Sequence, residues 1–191
     1  MSGPFTIALD AMGGDNAPAI VVKGADLARR RFPNIRFRMF GNEARIVSLM
    51  KRRKRLREVT EILHTDDVIS SEMTVSVAIR KGRRSSMQLA IDAVRDGEAE
   101  GVVSAGNTGA LMAMAKLSLR TLPGIHRPAI AAILPSIRGE SVMLDLGANV
   151  ECDAENLVQF AIMGDVFART VLGNVNPSCG LLNVGSEEMK G

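Results

Sequence analysis

The chain contains no tryptophan and no tyrosine, and its six phenylalanines are its only aromatic residues, 3% of the whole. Stacking of bases or sugars on aromatic faces is therefore not its expected mode of recognition, and nucleic acid is not an expected partner. Cysteine is nearly as scarce, with only Cys152 and Cys179 present. Neither stands in a CxxC or Cys/His cluster, which argues against a disulfide framework and against structural zinc. A reducing, cytoplasmic setting is expected. No window approaches the roughly 18 consecutive apolar residues of a spanning helix. The start, Met1-Ser2-Gly3-Pro4-Phe5, lacks the charged and apolar regions of a secretion signal. Nucleotide signatures are missing as well. Gly101 to Thr108 reads G-x-x-x-x-G-N-T, with Asn107 where a P-loop needs lysine, and G-x-G-x-x-G does not occur. Without a G-x-S-x-G elbow a serine hydrolase is disfavoured, and His64 and His126 stand in ordinary loop contexts.

What is present is a chain of 191 residues, 46% hydrophobic, long enough to bury a substantial core and expected to form a single α/β domain over residues 1–191. The net charge is only +3, but it is unevenly spread. Arg29-Arg30-Arg31 and Lys51-Arg52-Arg53-Lys54-Arg55-Leu56-Arg57 gather cations in the first third. Two readings stand: solvated helix ends favoured by the helix dipole, or a landing surface for an acidic partner.

Short apolar runs alternate with helical periodicities. Strands are expected at Phe5–Asp10, Ile35–Phe40, Val59–His64, Gly101–Ala105, Ala129–Leu134, Val142–Leu146 and Cys179–Val184, with Arg138-Gly139-Glu140 as a turn. Helices are expected from Pro18, over Glu43–Lys54, from Ser85-Ser86 to Gly97, over Leu111–Leu122 and over Glu155–Leu172. This alternation predicts an α/β fold, a mostly parallel sheet with helices on both faces in three layers. Ligands of such sheets bind beyond the carboxyl ends of the strands.

Three apolar runs stop at clusters of Gly, Asn, Ser or Asp: Asp10 to Asn16, Ser104 to Gly109, and Asp145 to Asn149. A strand, a glycine turn and a helix start together expose backbone N–H groups at the positive end of a dipole, which suits phosphate or carboxylate. Taken alone, Ser104–Gly109 also reads as a tight strand-to-helix turn. Asp10, Asp15 and Asp145 read as bases or metal ligands, or as caps of turns and helices; magnesium would need several converging carboxylates, and no metal is expected. Lys190 follows the last expected strand, where a cation could face an anion.

Six ordered blocks make the pattern specific: Ile7-Ala8-Leu9-Asp10-Ala11-Met12-Gly13-Gly14-Asp15, Ser85-Ser86-Met87, Ser104-Ala105-Gly106-Asn107-Thr108-Gly109-Ala110, Asp145-Leu146-Gly147-Ala148-Asn149-Val150, Gln159-Phe160-Ala161-Ile162-Met163-Gly164, and Leu181-Leu182-Asn183-Val184-Gly185 through Lys190-Gly191. Together they resemble the bacterial phosphate acyltransferase (PlsX) family of phospholipid synthesis along the whole chain. Members run considerably longer, so the chain is expected to be the N-terminal part of such an enzyme. The resemblance implies the architecture of isopropylmalate dehydrogenases and phosphotransacetylases, no cofactor, and transfer of a fatty acyl group from acyl-[acyl carrier protein] to inorganic phosphate. It also implies a homodimer, peripheral membrane association, and delivery of acyl phosphate to a membrane glycerol-3-phosphate acyltransferase. Asn16 stands where relatives often carry His, and Thr74-Val75 where many carry Lys-Pro.

Within that resemblance the expected roles follow the chemistry. Phosphate brings its own nucleophilic oxygen, so the protein must position it and stabilise the oxyanion of the attacked thioester. Asn107 and Thr108 are expected side-chain donors in the Ser104–Gly109 turn, with Gly13, Gly14, Ser85, Ser86, Ser104, Gly106 and Gly109 shaping the phosphate site. Lys190 would supply charge, Asn149 and Asn183 would donate hydrogen bonds, and Asp10 and Asp145 would orient these groups. Arg29, Arg30, Arg31, Lys51, Arg52 and Arg53 are expected to dock the acidic carrier protein. Rival readings are a phosphotransacetylase-like enzyme using coenzyme A, and an inactive fragment or interaction module of the lipid machinery.

Overall fold

The computed structural model describes residues 3–182 apart from Arg138 and Val150. They gather into two compact units, which divide between Arg120 and Thr121.

The first unit is built on four parallel strands, β1 (Phe5–Asp10), β2 (Ile35–Gly41), β3 (Thr60–His64) and β4 (Gly101–Val103), in the order β3-β2-β1-β4. Side chains alternate across a strand, and β1 uses both faces. Leu9 and the following Ala11 join Val22 and Ala25 of α1 (Ala19–Arg31), Ile46 and Met50 of α2 (Glu43–Met50), and Leu56 of α3 (Lys54–Arg57). Ala8 instead packs with Phe40 and with Ala90 and Ala93 of α5 (Ser86–Arg95). A further cluster of Ile69, Ala78, Met87, Ile91, Ala110 and Met114 ties α5 to α4 (Val75–Lys81) and α6 (Thr108–Leu119). Helices thus cover both faces of the sheet, as an all-parallel sheet requires.

The chain builds outward from β1 through β2 to β3, then returns to the other side of β1 as β4. Such a reversal leaves a crevice beyond the carboxyl ends of β1 and β4. Asp10 ends β1 and Ser104 follows β4, so two of the three glycine clusters meet there.

Two local departures from expectation have physical causes. The single helix expected over Glu43–Lys54 stops at Met50 and resumes only as the short α3. Six of the seven residues from Lys51 to Arg57 are cations, and like charges one turn apart destabilise a helix. Leu56 is fully buried, worth about 1.5–3 kcal/mol, and so anchors this four-residue turn. Helix α4 had no sequence counterpart because Val75-Ser76-Val77-Ala78-Ile79 alternates with period two, a strand-like pattern, and it buries only Ala78.

In the second unit β5 (Ala132–Ser136) and β6 (Gly139–Met143) form an antiparallel pair, displaced by a few residues from the strands expected at Ala129–Leu134 and Val142–Leu146. The connection between them is too short for a parallel crossover, which needs a dozen or more residues. Helix α7 (Ala154–Val171) begins with a capping box in which Asp153 and Asn156 each satisfy the other's backbone N–H. Cys179 to Leu182 form no strand; the rest of that expected strand, Asn183-Val184, lies outside the described residues. No helix among the described residues is long and apolar enough to cross a membrane.

Candidate functional site

The end of β1 carries Asp10, only 2% exposed, on the sheet face that meets α5. A buried carboxylate needs donors, and three supply them. Ser86 Oγ donates to Oδ1 at 2.6 Å and Ser104 Oγ to Oδ2 at 2.7 Å. The Met12 N–H adds a third bond to Oδ1 at 3.2 Å. Ser104 Oγ in turn accepts the Gly106 N–H at 3.1 Å. One carboxylate therefore ties together the turn after β1, the turn after β4 and the first residue of α5. Hydrogen bonds to a charged acceptor are roughly twice as strong as neutral ones.

The glycines make this closure possible. A Cβ on Gly13 would meet Ser104 Oγ at 2.8 Å and the Gly106 N at 2.9 Å, and would strike the Asp10 carboxylate. A Cβ on Gly106 would lie 3.3 Å from the Gly13 Cα. Gly14 has a φ of +94°, a conformation that L side chains rarely adopt. The Asp10–Gly14 and Ser104–Gly106 turns are thus packed backbone against backbone.

Asn107 caps α6, its Oδ1 accepting the Ala110 N–H at 3.0 Å. Its Nδ2 faces the irregular segment from Thr65 to Thr74, with the carbonyls of Met73, Ser71 and Ser70 at 2.9, 3.1 and 3.4 Å. Both ends of this amide are therefore engaged within the protein: Asn107 is a cap and a latch. The same segment is tied at its other end, where the Ser86 N–H donates to the Asp67 carbonyl at 3.0 Å. Sequence reading missed this strap because it has no periodicity, and nothing in the sequence signals the Asn107 latch.

The other expected site residues distribute as follows. Ser85 is fully buried and caps α5, accepting from the Gln88 N–H and donating to the Gly82 carbonyl at 2.7 Å, so its hydroxyl serves the fold. Thr108 and Gly109 are exposed in the first turn of α6; among the described residues their N–H groups have no acceptor and face outward as free donors. In the second unit Asp145 and Asn149 engage each other: Asp145 Oδ2 accepts the Asn149 N–H at 2.8 Å, and Oδ1 accepts the Ile130 N–H at 2.7 Å. Asn149 Nδ2 donates to the Pro128 carbonyl at 3.0 Å. This pair braces two turns. Asn183 and Lys190 lie outside the described residues. No group of three or more His, Cys, Asp or Glu among the described residues is placed to hold a metal.

The basic stretches occupy the opposite edge of the sheet. Arg29, Arg30 and Arg31 end α1 just before β2 begins, and Lys51, Arg52 and Arg53 precede β3, whereas Asp10 and Ser104 stand at the carboxyl ends. Arg29 and Arg30 each reach Asp26 at 2.8 Å, and Arg53 donates to the Leu49 carbonyl. Burial alone would raise the Asp26 carboxyl, but the hydrogen bonds and charges of Arg29 and Arg30 outweigh it and hold the group below its ordinary value of 3.8.

The chain is 63% identical over its full length to a phosphate acyltransferase of Rhodospirillum centenum, covering 54% of that protein. It is 61% identical, again over its full length, to one of Rhodospirillum rubrum, covering 55%. The chain thus spans about half the length of the curated relatives it matches. A phosphotransacetylase from Streptococcus pyogenes shares the fold, with a TM-score of 0.62 at 18% identity over 83% of this chain and 52% of its own. Residues 5–191 match the family described as fatty acid synthesis protein, and the chain belongs to that family.

Proposed function

We propose that the protein of which this chain forms part transfers a fatty acyl group from an acyl-[acyl carrier protein] thioester to inorganic phosphate. The observation that carries this reading is the closed pair of glycine turns at the strand crossover, locked by Asp10, beside the free Thr108 and Gly109 N–H groups. That arrangement offers a rigid, backbone-lined turn surface and unspent donors, which fits phosphate better than a nucleotide. The relatives' name, phosphate acyltransferase, supports the same chemistry.

In the reaction a phosphate oxygen attacks the thioester carbonyl, a C–O bond to phosphate forms, the C–S bond breaks, and the carrier thiolate leaves and takes up a proton. No protein nucleophile is needed. The chain's task is to hold phosphate at attacking distance and to meet the developing oxyanion with preset donors. Asp10 would hold Ser86, Ser104 and Gly106 in register so that the Thr108 and Gly109 amides keep their aim. On the family resemblance, Lys190 and Asn183 would complete the charge and donor set, and the whole enzyme would act as a homodimer at the membrane surface, passing acyl phosphate to a glycerol-3-phosphate acyltransferase.

The test is phosphate-dependent release of carrier thiol by the full-length enzyme, with acyl phosphate trapped by hydroxylamine. Carrier protein and coenzyme A thioesters are compared side by side. Product only from the coenzyme A donor would move the enzyme to phosphotransacetylase chemistry; no phosphate-dependent product from either donor would overturn the reading.

A further inference from the structure

In a parallel sheet whose site lies at the carboxyl ends, every return from helix to strand falls at the far edge. Arg29–Arg31 and Lys51–Arg57 lie on such returns, distant from Asp10 and Ser104. A third cluster lies at the site's own edge. Arg80-Lys81-Gly82-Arg83-Arg84 places four cations in five residues, closing α4 and leading into Ser85, the cap of α5. The next residue, Ser86, donates to Asp10 at 2.6 Å. Because α5 runs back toward the start of β4, its first residues mark the carboxyl edge of the sheet.

The four side chains are exposed, and none makes an ion pair among the described residues. Arg29 and Arg30, by contrast, are committed to Asp26. The turn that displays them is fixed. Gly82 is buried, and a Cβ there would strike the Ile69 side chain. Its carbonyl accepts both the N–H of Ser85, at 3.0 Å, and its hydroxyl, at 2.7 Å. The Arg84 carbonyl accepts the Thr65 hydroxyl at 2.7 Å. On the neighbouring strap Asp66, which Asn42 and His64 engage, stands with Asp67 and Glu72 as three carboxylates against four cations. A fixed, net-positive turn loses little freedom on meeting an anionic surface, and it flanks the place where the reacting thioester must arrive.

We infer that the Arg80–Arg84 turn is the docking surface for the acidic protein that carries the acyl thioester. This assignment rests on the proposed function. It predicts strong salt sensitivity of the carrier encounter, because exposed charges attract across distances comparable to the Debye length.

The experiment is steady-state kinetics of the full-length enzyme at low and high salt, with acyl carrier protein and with short acyl-pantetheine as donors. Reversal at Arg80→Glu, Lys81→Glu, Arg83→Glu and Arg84→Glu together should raise the KM for the carrier by about tenfold or more at low salt and flatten its salt dependence. Efficiency with the carrier should fall by a similar factor relative to efficiency with acyl-pantetheine. The milder Arg83→Gln/Arg84→Gln pair should show the same preference shift in part, which separates docking from misfolding. An unchanged carrier KM, equal losses with both donors, a rise confined to a Lys51→Glu/Arg52→Glu variant, or loss of binding to anionic vesicles with carrier kinetics intact would each overturn the assignment. Wild-type enzyme that makes no acyl phosphate from either donor would instead remove the proposed function beneath it.

Discussion

Asn107 offers a prediction that separates three roles with two substitutions. Its Oδ1 caps α6, and Nδ2 latches the 65–74 strap. Serine at this position keeps a good cap and removes the latch, whereas alanine removes both. Losing the cap costs typically about 1 kcal/mol. Nδ2 has two hydrogens, so at most two of its three carbonyl contacts, at 2.9, 3.1 and 3.4 Å, are full hydrogen bonds. At a half-buried position these two together contribute about 1–2 kcal/mol. Asn107→Ser should therefore lose about 1–2 kcal/mol and Asn107→Ala about 2–3, a gap of about 1 kcal/mol that urea unfolding resolves. Amide exchange at Ser70–Thr74 should quicken equally in both variants, while the first turn of α6 should loosen only in the alanine variant. If Asn107 instead gripped phosphate directly, both substitutions would lower turnover by 10²–10³, about 2.7–4 kcal/mol. A serine variant with native exchange along the strap and a hundredfold loss of turnover would refute the latch.

Further outcomes follow from the same geometry. Gly13→Ala should destabilise by about 1–3 kcal/mol through overpacking against Ser104 and Gly106, seen as a lower Tm, and should weaken phosphate saturation before it affects binding of the acyl donor. Asp26 is held below 3.8 in the folded state, so its contribution is present above the unfolded-state pKa and is lost as pH falls through the folded value. The stability gap between the native protein and Asp26→Asn should accordingly be full near neutrality and close below about pH 4 in acid-unfolding curves. Asp145→Ala should strand the N–H groups of Ile130 and Asn149, costing about 1.5–3 kcal/mol by denaturation; Asp145→Asn, which keeps one acceptor, should cost less.

Much of the first unit was legible because its signals are local. The run Phe5–Asp10 into Gly13, the Ser85 cap and the Gly101 strand each carry their own punctuation, and periodicity placed α1, α5, α6 and α7 within a few residues. What escaped was non-local or self-masking. Nothing near Asn107 announces that its amide will meet carbonyls more than thirty residues upstream. The Val75–Ile79 alternation imitates a strand. Gly139 and Glu140, expected in the turn between two strands, open β6 itself. Charge density drew attention to Arg29–Arg31 and Lys51–Arg57, yet only strand direction reveals that these lie across the sheet from Asp10, while the shorter Arg80–Arg84 run shares its edge.

The close approach of Gly13 and Gly106 has an evolutionary corollary. Where two main chains touch, neither position can be varied to tune which ligand is welcomed, since any branch on one would push the other aside and dismantle the Asp10 clasp. Diversification within this lineage should therefore be silent at the clasp and audible at its margins, in the strap and the cationic turn, where side chains can change without moving the floor on which the chemistry rests.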